Sequence, residues 1–109
     1  MPYNEKLAER VRALLLEEPD LVEQRMFGGL SFMLAGNLCV GVLGEDLVVR
    51  VPAGEAEATS ARPHVRPMDF TGRPMKNWFY VSAKGTKTKR ALASWVERGR
   101  AFARTFPPK

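Results

Sequence analysis

The sequence predicts an α+β domain: an antiparallel five-stranded sheet with flanking helices, in the order α-β-β-β-α-β-β-α. Three observations predict it. An apolar stripe at helical spacing opens the chain, short apolar runs separated by Gly-containing turns fill its middle, and a second helical stripe closes it. Loops this short join antiparallel neighbours, because a parallel pair needs a crossover of a dozen or more residues.

The elements follow in order. Asn4 is placed to cap the first helix, since its side chain can accept from the free amides of the first turn, and Glu5 sits where the helix dipole favours an anion. Leu7, Val11, Leu14 and Leu15 form one apolar stripe, and Pro19 stops the helix by about Glu17 or Glu18. Arg25-Met26-Phe27 leads into Gly28-Gly29 and a strand from Leu30 to Leu34. Ala35-Gly36-Asn37 is a turn, Leu38 to Leu43 a strand, Gly44-Glu45-Asp46 a turn, and Leu47 to Val51 a third strand. Leu30, Phe32 and Leu34 share one face, as do Leu47, Val49 and Val51.

Pro52 ends that strand. The Ala- and Glu-rich stretch Ala53 to Ala61 predicts a short helix that Pro63 terminates. Val65 to Phe70 and Trp78 to Val81 are the next strands, the second strongly aromatic and β-branched. After Gly85 and Thr86 a last helix runs from about Lys87 to Arg104, with Leu92, Trp95, Val96, Gly99, Phe102, Ala103 and Phe106 on one face. Leu92, Trp95, Val96, Phe102 and Phe106 are expected to be buried against the sheet.

The chain has 109 residues, which suits one domain spanning 1–109, and 45% of them are hydrophobic, enough for a core without staples. A single cysteine, Cys39, allows no intrachain disulfide and suits a reducing cytosol. There is no basic segment followed by an apolar one at the N-terminus and no long apolar run, so the expectation is a cytoplasmic protein with no membrane contact. The net charge of +5 is unevenly spread. Residues 1–61 carry five Lys/Arg against ten Asp/Glu, residues 62–83 four against one, and residues 84–109 eight against one. Such asymmetry marks a surface for nucleic acid or an acidic partner, or else two ends of the chain, or two copies of it, that attract each other.

No constellation reads as catalytic. Cys39 lies mid-strand among apolar residues, where a small buried hydrophobe is expected. His64 is the only histidine and has no companions at ligand spacing, so no metal or other cofactor is expected. Gly28-Gly29 lacks phosphate-loop spacing and precedes a strand rather than a helix; it reads as a bulge or a close approach between strands. Arg62, Arg66, Arg73 and Lys76 lie near Trp78, Phe79 and Tyr80, and this basic, aromatic group is the candidate interaction surface. The cations of the last helix (Lys87, Lys89, Arg90, Arg98, Arg100 and Arg104) spread around its polar side, without the Asn or Gln that reads base edges.

The run Arg25-Met26-Phe27-Gly28-Gly29-Leu30-Ser31-Phe32-Met33, with Gly36-Asn37 after it, resembles the opening of the TfoX N-terminal domain family. Arg62-Pro63, the run Met68 to Met75, the strand Trp78 to Val81 and the closing helix with Trp95 and Phe102 fit the same family. Phe27, Gly28 and Gly29 are then a structural motif. The resemblance covers about Tyr3 to Phe106 and implies an α-β(3)-α-β(2)-α fold similar to that of secretion chaperones. It also implies a bacterial regulator: TfoX proteins govern competence genes, are thought to act with the cyclic-AMP receptor protein, and carry a second, C-terminal domain. The chain ends at Lys109, so a stand-alone domain is expected. The family supplies no catalytic residues.

The function expected from all this is a non-enzymatic regulatory or protein-interaction module, able to self-associate as a homodimer, whose protein partner the sequence does not identify. The alternative is a nucleic-acid-binding accessory protein that uses the basic second half. An enzyme is the third reading.

Overall fold

The computed structural model describes residues 3–26, 28–70 and 73–107, without the side chains of residues 26, 69–70 and 73–76. Helix α1 (Glu5–Leu14) is followed by strands β1 (Leu21–Met26), β2 (Gly29–Leu34), β3 (Asn37–Leu43) and β4 (Asp46–Arg50). A 3₁₀ turn (Ala53–Glu55) leads into α2 (Ala56–Ser60), then β5 (Val65–Phe70) and β6 (Arg73–Val81). A second 3₁₀ turn (Ala83–Thr86) precedes α3 (Lys89–Ala103). The fold class is as expected, α+β with an antiparallel sheet, but the sheet has six strands and not five, in the order β1-β2-β3-β4-β6-β5.

The additional strand is β1, which the sequence reading reduced to a lead-in at Arg25. Among its described side chains only Leu21 packs against the core, while Val22 to Arg25 are exposed. An edge strand with one core-facing side chain has neither the apolar run nor the clean alternation by which strands are recognised. It pairs with β2 over all six residues, from Leu21↔Leu34 to Met26↔Gly29.

Turn chemistry explains the meander. Ala35 and Gly36 both have positive φ, 51° and 84°, the conformation of the two-residue hairpin turn whose twist matches its strands. Asn37 follows, and its Nδ2 donates to the Pro107 carbonyl at 3.1 Å, tying the hairpin to the C-terminal tail. Pairing of β2 with β3 then passes from Met33↔Leu38 to Phe32↔Val40, which leaves Cys39 as the extra residue of a β-bulge.

Helix α1 begins as expected: the Asn4 side chain accepts from the Leu7 amide at 3.0 Å. Leu7, Val11 and Leu15 are buried and Leu14 packs at the margin. All three helices lie on one face of the sheet, over Leu30, Phe32, Val40, Val42, Leu47, Val49, Phe79 and Val81. From α3, Leu92, Trp95, Val96 and Ala103 complete this core. Phe102 and Phe106 depart from the expectation of burial. They are half-buried and packed edge-to-face with ring centres 5.0 Å apart, and the Arg50 guanidinium rather than the apolar core lies against both rings.

Among the described residues no helix lies on the other face of the sheet. One row across it runs Gln24, Ser31, Gly41, Val48, Tyr80, Arg66, as the strand registers dictate. Met33, Leu38, Leu43, Trp78 and Tyr80 are half-buried there and Val22 is 57% exposed.

Candidate functional site

The candidate cations separate. Arg62 follows α2, and its guanidinium lies 4.3 Å from the centre of the Trp95 ring, on the helical side of the sheet. Burial, and then the nearby charge of Arg98, lower its pKa. Arg98 flanks the same indole at 5.6 Å. Arg66 lies in β5 opposite Tyr80, on the helix-free face, 4.7 Å from that ring and paired with Asp46 at 2.5 Å. Arg62 and Arg66 therefore serve different faces, each stacked on its own aromatic residue. The side chains of Arg73 and Lys76 lie outside the described residues, as does Phe27.

The charge split along the sequence becomes a set of contacts within the fold. Arg104 forks onto Asp20 at 2.6 Å and 2.9 Å and reaches Glu18 at 3.1 Å. Arg100 pairs with Glu97 and approaches Glu18 at 3.6 Å, and Arg98 approaches Glu55 at 3.6 Å. Arg10 donates to the Thr86 carbonyl at 2.7 Å, where the segment before α3 turns toward α1. The hydrogen bond from Arg104 holds the Asp20 carboxyl below its ordinary range. Bonds from Arg12 do the same for Glu23. The acidic first half and the basic last helix thus meet, which was one of the readings open in the sequence. Lys84, Lys87, Lys89 and Arg90 are exposed, and none of them has an ion pair among the described residues.

The other singled-out groups are structural. Cys39 is buried, its thiol 3.8 Å from the Val96 carbonyl, and burial pushes its pKa up to about 12. A thiol this hard to ionise is a poor nucleophile. His64 is an exposed loop residue with φ 66°, and its carbonyl accepts from the Ser82 amide at 2.9 Å. Among the described residues no three His, Cys, Asp or Glu side chains are grouped to hold a metal. Gly28 has φ +79° in the β1–β2 turn, and a Cβ on Gly29 would strike the Val42 carbonyl oxygen. The Gly-Gly pair is thus a turn and a close approach between strands.

One cation was missed. Arg50 ends β4 with its guanidinium 5.5 Å from the Trp78 ring, 5.4 Å from Phe102 and 5.1 Å from Phe106. Its Nε is buried with no hydrogen-bond partner among the described residues. Only the three-dimensional meeting of β4, β6 and the end of α3 makes this cage.

A six-stranded antiparallel sheet, clothed on one face by the three described helices, defines a small α+β domain in which Arg66, Arg98, Arg100 and Arg104 are held in internal ion pairs. Among its described helices none is long and apolar enough to cross a membrane. The chain belongs to the TfoX N-terminal domain family, whose sequence profile matches residues 13–103. That family is not known as a family of enzymes. No curated protein and no solved structure matches the chain.

Proposed function

We propose that this chain is a non-enzymatic regulatory module that works by protein–protein contact. The helix-free face of the sheet carries the proposal. Met33, Leu38, Leu43, Trp78 and Tyr80 are half-covered there, and Val22 stands exposed beside them. Apolar side chains left partly exposed together on one sheet face are surface that a protein partner can cover. Membership of the TfoX N-terminal domain family supports the regulatory part of the reading. The cell compartment that fits is the cytoplasm, where a lone buried thiol stays reduced.

The test is retention from a nuclease-treated native extract by the immobilised chain, beside a Leu38→Glu variant shown by circular dichroism to be folded. A protein kept by the wild type and lost by the variant supports the reading. Retention seen only from extract left without nuclease treatment, or retention that Leu38→Glu leaves unchanged, contradicts it.

The second reading is a nucleic-acid accessory protein, and one observation favours it: the exposed cations Lys84, Lys87, Lys89 and Arg90, unbridged among the described residues, before and within the first turn of α3. Such a cluster would contact phosphates without reading sequence.

A further inference from the structure

We infer that the β1 edge joins two copies of this chain into one continuous sheet, in a single register set by Glu23 and Arg25. The inference rests on the protein-contact reading and gives it a surface and a partner.

The two edges of the sheet differ. β5 carries Pro67, which has no amide hydrogen to offer a new strand, and its pairing with β6 shifts between Pro67 and Met68. β1 has no proline and pairs with β2 without a shift along its whole length. Its outer edge is therefore regular, and Val22 to Arg25 are exposed. A regular edge of this kind accepts an added strand.

The register follows from faces and charges. Leu21, Glu23 and Arg25 point to the helical side, because they stand opposite Leu34, Phe32 and Leu30; Val22 and Gln24 point to the other. Two copies related by a two-fold axis perpendicular to the sheet keep their helices on the same side. Odd-numbered residues of β1 then oppose odd-numbered residues of the other copy. Centring the axis on Glu23 sets Glu23 against Glu23, and centring it on Arg25 sets Arg25 against Arg25; like charges directly opposite are destabilising. Centring it on Gln24 sets each Glu23 against the Arg25 of the other copy, twice by symmetry, with Gln24 facing Gln24. Arg12 already holds the Glu23 carboxylate ionised and oriented on this side. Charged residues on an edge usually repel strand addition. Here their spacing of two residues with opposite sign makes them self-complementary in one antiparallel register. Two-fold pairing is also the commonest closed assembly.

A cysteine scan tests the register. Residues facing each other across antiparallel strands have Cα atoms about 4.5–5.5 Å apart, within disulfide reach. Under oxidised glutathione, Gln24→Cys is expected to give a disulfide-linked dimer at least about ten times faster than Glu23→Cys or Arg25→Cys, whose thiols would stand opposite position 25 or 23 of the other copy rather than opposite each other. The native Cys39 is buried and does not compete. In sedimentation, Arg25→Glu is expected to shift the chain to monomer and Arg25→Lys to leave it dimeric. No Gln24→Cys dimer, or equal linking at all three positions, overturns the inference. If that happens while Leu38→Glu still abolishes partner retention, the edge is wrong and the protein-contact reading stands. If Gln24→Cys links and Leu38→Glu changes nothing, the edge stands and the helix-free face is not the contact for other proteins.

Discussion

Gly99 of α3 lies directly against the carbonyl oxygen of Cys39, so closely that a Cβ at position 99 would overlap it. The same Cβ would press on the Val40 side chain at 2.8 Å. The last helix is therefore seated on the β3 bulge by the absence of a side chain.

Gly99→Ala is expected to destabilise the domain by about 1–3 kcal/mol, the cost of forcing an atom into a filled core. The sign is the informative part. At an unconstrained interior helix position the same change gains up to about 1 kcal/mol from helix propensity. Chemical denaturation of the variant beside the wild type reads the difference.

Trp95 is 3% exposed, beneath Arg62 and Arg98. Trp95→Ala is expected to cost about 3–5 kcal/mol as a large-to-small core change. Arg62→Ala is expected to cost much less, about 0.5–1 kcal/mol, since it removes one partly exposed cation–π contact. Urea midpoints of the two variants separate the contributions.

Acid should weaken the fold through two carboxylates. Asp20 and Glu23 have ordinary values of 3.8 and 4.5, and the guanidinium groups of Arg104 and Arg12 hold both lower in the folded chain. Below those ordinary values the unfolded chain binds more protons than the folded one. Their contribution is then fully present above about pH 4.5 and lost as pH falls through the depressed folded values. Both pairs are partly exposed, so the loss should shrink at high salt. Melting temperature against pH, for the wild type and Arg104→Ala, checks this: the variant should show the shallower acid slope.

Much of the fold was legible in the chain. The stripes of α1 and α3 repeat at helical spacing, and β5 is bounded as its turn residues indicate. β1 was not legible, because a strand at an edge needs only Leu21 to face the core. β6 is longer than its aromatic segment: it begins at Arg73, where Pro74 masks the strand pattern. The basic, aromatic composition around residues 62–80 was visible, but its division between two faces was not. That division depends on Arg66 pairing with Tyr80 and on Arg62 reaching a helix more than thirty residues away. The charge asymmetry was visible as well, whereas its internal pairing of Arg104 with Asp20 arises only when α3 folds beside the end of α1.

Titration of the isolated chain with labelled duplex DNA, followed by fluorescence anisotropy across a salt series, tests most directly whether this domain works through protein or nucleic acid. With Arg66, Arg98, Arg100 and Arg104 engaged by carboxylates, no meaningful binding is expected at about 0.15 M salt. Weak binding at low salt should lose about 0.9 in log affinity per log unit of salt for each phosphate contacted, without regard to sequence. Tight, sequence-selective binding that persists at about 0.15 M salt would contradict the protein-contact reading.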